Sequence, residues 1–358
     1  MEIKVLQLPA EKMKSKIQDE SKLGFGKYFT DRMLVIEWKT DIGWHDARIE
    51  PYAPFLLDPA SLVFHYAQEI FEGLKAYRWE DGRIALFRPE MNAKRFNLSA
   101  GRLCMPEIPE GLFLEGIEKL VVLEKDWIPS APGTSLYIRP AMIAVEPVLG
   151  VKSSDHFRFF VILSPVAAYY SKGFNPVSIL VEDRYVRAVQ GGTGEAKTGG
   201  NYACSLKAGL EAKNRGYDQV LWLDGREQRY IEEVGAMNMF FVYGKKIVTP
   251  SLAGSILSGI TRDSVLKLAK NLGYETEESK IDISDLISDI KSGRLTEAFG
   301  SGTAAVISPV GKLCYMDECF SLGNEDAGEI TRRLYDTLTG IQTGKVKDEF
   351  GWIKFPED

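Results

Sequence analysis

The stretch from Gln190 to Tyr202, Q-G-G-T-G-E-A-K-T-G-G-N-Y, holds five glycines and a single lysine, Lys197. Glycine loses more backbone entropy on folding than any other residue, so this run makes a loop rather than a helix or strand interior. Such an open backbone admits close approach by a phosphate, a small molecule or a second chain. An amine displayed on it is a nucleophile toward a carbonyl or a cation toward a phosphate. The phosphate reading has a motif, G-x-x-x-x-G-K-[ST]. Gly191 to Thr198 misses it by one residue, with Ala196 where the second glycine belongs. That motif also needs an apolar strand feeding it, and Glu182 to Gln190, E-D-R-Y-V-R-A-V-Q, is too charged. Both points count against the nucleotide-binding reading, which stays as the alternative from another function class. A flexible loop with an incidental lysine stands as the plain alternative.

Four further features carry chemistry. Gly259-Ile260-Thr261 opens a predicted helix, whose first N–H groups and positive dipole end favour an anion. Gly300-Ser301-Gly302-Thr303 is a second glycine–hydroxyl loop after a predicted strand. Val306 to Val310, with Pro309, reads as strand, so no helix follows to receive a dinucleotide. Glu232 and Glu233 end a strand, where one carboxylate can point inward if it meets a cation. Arg95 shares a helix face with Met91 and Phe96, placed either to snorkel or to reach a phosphate. A lysine, an anion site, a hydroxyl–glycine loop, a carboxylate and an arginine are together the inventory for pyridoxal 5'-phosphate. Its aldehyde takes a lysine, its phosphate takes backbone N–H groups and an arginine, and its pyridine nitrogen takes an acid.

Composition narrows the classes. The 358 residues are 45% hydrophobic and 26% charged, which is ordinary for a globular chain of one large or two smaller domains. A net charge of −6 argues against a nucleic-acid partner. There is no apolar run of about 18 residues to span a membrane. The opening Met1 to Gln7 lacks the apolar core of a signal peptide, so a cytoplasmic protein is expected. Cys104, Cys204, Cys314 and Cys319 show no C-x-x-C spacing and are expected to be reduced, buried bystanders. His45, His65 and His156 are too scattered for a metal site or a catalytic triad, so no metal is expected and acid–base work falls to lysine, tyrosine or a carboxylate.

Several elements must position these residues. Strands are predicted at Met33–Trp38, Leu62–Tyr66 and Ile84–Phe87, the last after an Asp81-Gly82 turn. Pro89 opens a helix carrying Arg95, and a second helix spans about Leu112 to Trp127. Strands Ser135–Met142 and Phe157–Leu163 follow. The second half predicts strand Val177–Val181, a helix from Tyr202 to about Asn214, and strands Gln219–Leu223, Arg229–Glu233, Asn238–Tyr243 and Lys246–Val248. A helix from Gly259 to Leu272, a short helix Ser284–Ser292, strand Leu295–Phe299 and a last helix Glu325–Gln342 complete it. Hairpins in both halves predict an α+β fold. The division expected is a smaller α/β domain over 1–169, a loop over 170–176, and a larger cofactor-binding domain over 177–358.

Five motifs carry a resemblance: Glu195-Ala196-Lys197-Thr198-Gly199-Gly200-Asn201-Tyr202, Glu233-Val234-Gly235-Ala236-Met237-Asn238, Gly259-Ile260-Thr261-Arg262-Asp263, Phe299-Gly300-Ser301-Gly302-Thr303-Ala304 and Tyr137-Ile138-Arg139-Pro140. In order and spacing they are similar to those of branched-chain amino-acid aminotransferases. These are fold-type-IV pyridoxal phosphate enzymes, related to D-amino-acid aminotransferases, and their larger domain is a β-pseudobarrel with helices. The resemblance runs from Phe25 to the last helix. It implies Lys197 as the Schiff-base lysine and proton shuttle, Tyr202 on the cofactor's phenolic oxygen and Glu233 on its pyridine nitrogen. Arg95, Gly259, Ile260, Thr261 and Thr303 would hold the phosphate, and Leu257 would pack on the ring. Tyr137 and Ala304 would receive the substrate carboxylate. Phe25, Tyr66, Phe71, Tyr169 and Ala236 would line the side-chain pocket, and Leu149 and Val151 would close it from the partner in a homodimer. Arg139 would help bind a γ-carboxylate, with a purely structural role as the alternative. The substrates implied are leucine, isoleucine, valine, glutamate and their 2-oxo acids. D-amino-acid aminotransferase and aminodeoxychorismate lyase are the alternatives within the fold. Ala305 and Ser308 stand where mammalian relatives carry a redox C-x-x-C, so no thiol switch is expected there, and Ala236 stands where a threonine is frequent.

Overall fold

The computed structural model describes residues 1–167, 174–323 and 326–357. Its strands are β1 Lys4–Val5, β2 Arg32–Lys39, β3 Gly43–Pro51, β4 Glu69–Phe71, β5 Leu74–Arg78, β6 Ile84–Phe87, β7 Ser135–Ala144, β8 His156–Val166, β9 Val177–Glu182, β10 Gln219–Leu223, β11 Ile231–Val234, β12 Met237–Tyr243, β13 Lys246–Pro250, β14 Glu275–Ser279, β15 Glu297–Gly302, β16 Val306–Tyr315, β17 Glu318–Ser321 and β18 Ile353–Lys354. The helices are α1 Leu62–Tyr66, α2 Pro89–Arg102, α3 Glu110–Leu123, α4 Gly199–Ala203, α5 Leu206–Asn214, α6 Ile260–Asn271, α7 Ile283–Lys291 and α8 Glu329–Gln342.

The chain divides into two units. The first comprises Met1–Tyr169, Ala196–Gly199 and Gly340–Asp358, and the second Tyr170–Glu195 and Gly200–Thr339. The expected second domain ran to residue 358. The tail instead belongs to the first unit, because β18 pairs antiparallel with β6 and Trp352 packs edge-on against Phe87.

In the first unit one sheet runs β1-β3-β2-β8-β7-β5-β6-β18, with β4 added on β7. Side chains alternate across a strand, and here the two rows differ sharply. Leu74 and Ala76 of β5, and Leu136, Ile138 and Met142 of β7, join Phe96, Phe113 and Phe159 in a core built with α2 and α3. The opposite row carries Lys75, Tyr137 and Arg139, with Lys75 and Tyr137 paired in register.

The second unit's sheet runs β11-β10-β9-β16-β15-β12-β13-β14, and β11 also pairs with β12. That extra pairing closes six strands into a ring, which removes their open edges. One face of β9 and β10, with Ile179, Val181, Leu221 and Leu223, joins a core with Phe241 and Leu286. The other face, Leu180, Val220 and Trp222, packs on Ala208 and Ala212 of α5.

Three local expectations are corrected. Leu62–Tyr66 is a helical turn with only Leu62 buried, so its apolar residues do not form a strand. The helix expected from Tyr202 to Asn214 is broken into α4 and α5 around Cys204 and Ser205. Cys314 and Cys319 form a disulfide rather than staying reduced. Met316 and Asp317 both take positive φ, 47° and 64°, which makes a two-residue hairpin turn. That turn sets Cys314 opposite Cys319 across β16 and β17, with Cα atoms 4.1 Å apart.

Candidate active site

Lys197 sits on Ala196–Gly199, a segment of the first unit whose neighbours on both sides belong to the second. Its backbone is clamped twice within the first unit. Its N–H donates to Ser99 Oγ at 2.9 Å, and its carbonyl accepts from Phe71 N at 3.0 Å. Thr198 Oγ1 donates to Glu69 O at 2.7 Å, and Gly199 N donates to the Glu69 carboxylate. The half-buried Lys197 ammonium lies 4.9 Å from the Phe71 ring centroid.

Phe71 is also covered by the Arg139 guanidinium, 4.7 Å from the ring centroid. Arg139 Nη2 donates to Tyr137 Oη at 3.3 Å, and Phe25 meets the Tyr137 ring edge-on at 5.0 Å. Phe25, Phe71, Tyr137, Arg139 and Lys197 are therefore linked contact by contact within one unit. Gly73 makes room for this group, since a Cβ there would fall 2.0 Å from Tyr137 Oη. Beside it, burial raises the Glu69 carboxyl, against the pull of the Gly199 N–H and Arg139. Burial also depresses Lys75 to about 8.

Arg95 is 8% exposed and makes a two-point ion pair with Glu72, Nε to Oε1 at 2.7 Å and Nη2 to Oε2 at 2.9 Å. Asn92 Nδ2 and Gly73 N also donate to Glu72 Oε2. Burial alone would raise the Glu72 carboxyl, but Arg95, Lys197 and Asn92 outweigh it and hold it below the ordinary glutamate range. Tyr66 Oη donates to Leu149 O, and Leu149 and Val151 are exposed at 64% and 84%.

The second unit carries most of the remaining expected residues, on β11, α4, α6 and the segments beside them. Glu233 of β11 is 3% exposed. Its Oε1 accepts from Leu257 N at 2.8 Å and Asn238 Nδ2 at 3.3 Å, and its Oε2 pairs with Arg187 Nε at 3.1 Å. Asn238 Nδ2 also reaches Leu257 O at 2.9 Å, fixing the segment that leads into α6. Gly259 is the N-cap of α6 and brings no side chain to its first turn. A Cβ at Gly259 would lie 2.0 Å from Asn238 Oδ1. Ile260 and Thr261 follow, both buried. Pairing of β12 with β15 sets the β11–β12 turn, with exposed Ala236, beside the β15–β16 turn, with Thr303 and Ala304. Tyr202 is half-buried on α4. The glycine loop is pinned by Thr193 and Asn201, whose side chains and Thr193 O exchange two bonds of 2.8 Å. Arg187 Nη2 donates to Gly194 O and Ser255 O. Tyr169 lies outside the described residues.

Sequence reasoning missed Glu72, Arg187 and Asn238. The signal for Arg187 was a lone cation within Tyr185-Val186-Arg187-Ala188-Val189, which was weighed only as evidence against a buried strand.

Residues 69–313 match the amino-transferase class IV family. The chain belongs to this family. Among class IV relatives it is 57% identical over 334 residues to branched-chain-amino-acid aminotransferase 2 of Bacillus subtilis (strain 168), covering 93% of this chain and 92% of that one. It is 52% identical over 335 residues to the branched-chain-amino-acid aminotransferase of Mycolicibacterium smegmatis, covering 92% of this chain and 91% of that one. It resembles the crystal structure of the Escherichia coli branched-chain amino acid aminotransferase with a TM-score of 0.73 at 27% identity, over 90% of this chain and 99% of that one. The fold is the fold-type-IV α+β arrangement of these class IV enzymes, with its closed barrel-like sheet.

Proposed function

We propose that the chain is a pyridoxal phosphate-dependent transaminase. It moves the amino group of L-leucine, L-isoleucine or L-valine to 2-oxoglutarate, giving the branched-chain 2-oxo acid and L-glutamate. The observation that carries this reading is the 57% identity to a branched-chain-amino-acid aminotransferase over nearly the full length of both chains.

The residues fit the cofactor. A buried carboxylate ion-paired to Arg187 suits a protonated pyridine nitrogen. A helix whose N-cap is a glycine suits a phosphate. When bound, the cofactor supplies an electrophilic carbon and an electron sink. Lys197 Nζ would hold it covalently and then carry the proton from substrate Cα. Glu233 would keep the pyridine nitrogen protonated, and Tyr202 would hydrogen-bond the phenolic oxygen. Arg95, oriented by Glu72, would join Gly259, Ile260, Thr261 and Thr303 on the phosphate, and Leu257 would cover the ring. Tyr137 Oη and the Ala304 N–H would hold the substrate carboxylate. Phe25, Tyr66, Phe71, Tyr169 and Ala236 would exclude water from the branched side chain, and Arg139 would take the γ-carboxylate of glutamate.

The working unit is a homodimer in which Leu149 and Val151 of one copy close the other's pocket. Their exposure as apolar side chains, together with Leu56 at 97% and Phe64 at 60%, supports this. The cofactor-binding domain would begin at 177. The substrates are metabolites of the cell interior, which favours the cytoplasm. The test is an assay of L-leucine with 2-oxoglutarate beside D-alanine and aminodeoxychorismate. Turnover of L-leucine alone is expected; turnover of D-alanine or aminodeoxychorismate in its place would overturn the assignment.

A further inference from the structure

Glu232 and Glu233 follow each other on β11, so their side chains take opposite faces of the strand. Glu233 has a role above, whereas Glu232, 7% exposed, has none. Glu232 Oε1 accepts from Ser255 Oγ, and Oε2 is buried without a hydrogen-bond partner among the described residues. Burial pushes the carboxyl up to about 7, against the pull of Ser255 and Arg187. A buried carboxyl held by one hydroxyl costs stability, and groups kept at such a cost concentrate at functional sites.

Ser255 links Glu232 to its neighbour. Its carbonyl accepts from Arg187 Nη2, and the same guanidinium pairs through Nε with Glu233 Oε2 at 3.1 Å. Two residues on, Leu257 N donates to Glu233 Oε1 at 2.8 Å. The Ser255–Leu257 segment thus reaches both oxygens of Glu233, one through Arg187 and one directly. Gly194 packs closely on it, since a Cβ there would collide with Ser255 O. The bond from Ser255 Oγ to Glu232 ties the segment back to β11, the strand that carries Glu233. Glu232, Ser255, Arg187 and Glu233 therefore close a ring of contacts that lies wholly in the second unit. Opening the ring at Glu232 frees the segment to shift against β11, and two of the groups on Glu233 shift with it. The outer partners that orient metal ligands are worth about tenfold or more in affinity, and the same scale is expected here.

We propose that Glu232, acting through Ser255, is a positioning residue for Glu233 and so for its hold on the cofactor's pyridine nitrogen, a role that rests on the pyridoxal phosphate reading above. The test compares pyridoxal 5'-phosphate with its 1-deaza analogue, in which a C–H replaces the ring nitrogen, by fluorescence titration of the full-length protein freed of cofactor. Glu232→Ala is expected to weaken pyridoxal phosphate about tenfold or more and the analogue by less than about twofold. Ser255→Ala is expected to show the same selectivity. Glu232→Gln, whose amide oxygen still accepts from Ser255 Oγ, is expected to recover most of the loss. Equal weakening of the two cofactors by Glu232→Ala and Ser255→Ala would show a merely structural role and overturn the proposal. So would unchanged pyridoxal phosphate affinity in both variants, or a Glu232→Gln variant as weak as Glu232→Ala. Each of those results leaves wild-type binding of pyridoxal phosphate intact. A wild-type protein that does not bind it would overturn the transaminase reading itself, and the proposal with it.

Discussion

Buried charge is the theme at the scale of single residues. Glu72 and Arg95 satisfy each other at two points with Glu72 fully enclosed, so removing one strands the other. Glu72→Ala is expected to cost about 3–5 kcal/mol of stability by chemical denaturation. A cost below about 1 kcal/mol would show the pair to be solvated. Glu232 behaves differently. Its carboxyl is raised in the folded state, from 4.5 to about 7. Its stabilising contribution is therefore present in full below about pH 4.5 and is lost as pH rises through about 7. Discounted for solvent screening and relaxation around the group, the loss is of order 1–2 kcal/mol. Glu232→Gln should accordingly gain on the wild-type protein between pH 5 and roughly 8 in paired denaturation curves. Lys197 was singled out by its glycine-rich loop, whereas the choice of Glu233 over Glu232 rested on the family resemblance alone. Their supports were not legible in the sequence. Arg187 and Glu72 announce themselves only once strand pairing and helix packing bring them to their partners.

At the scale of elements, periodicity and glycine punctuation gave most strands and helices, and tertiary context decided the rest. β14, Glu275–Ser279, was missed because its composition is charged, yet among the described residues it is an edge strand paired with β13 alone, where charge is suited to an unpaired side. The β16–β17 hairpin was misread through its cysteines. Spacing rules look for C-x-x-C, whereas a two-residue turn places residues five apart face to face. Thiol titration of the denatured, unreduced protein should find two free thiols, Cys104 and Cys204. Cys319→Ser should lower stability by about 2 kcal/mol, the loop entropy of so short a ring. Four reactive thiols would contradict the bond. The start of α6 makes a sharper test. Gly259→Ala drives a methyl into Asn238 Oδ1, and Asn238 in turn holds Glu233. The variant is expected to lose at least tenfold in cofactor affinity by fluorescence titration, against little change if the segment simply shifts.

For the whole molecule, the chain's route sets the organisation. After building most of the first unit it re-enters that unit for Ala196–Gly199 and again for its last residues. No linear division of the sequence captures that, because strand pairing and not chain order assigns Gly340–Asp358. The proposed homodimer should sediment at twice the chain mass, and Val151→Asp should raise the KM for L-leucine more than it lowers kcat. The most direct measurement of the central claim is the visible absorption spectrum of the purified protein, recorded before and after L-leucine and then after 2-oxoglutarate. The account predicts a yellow protein whose band bleaches with L-leucine and returns with 2-oxoglutarate, and no such cycle in Lys197→Ala. A protein that stays colourless after incubation with pyridoxal phosphate, or a full cycle in Lys197→Ala, would contradict it.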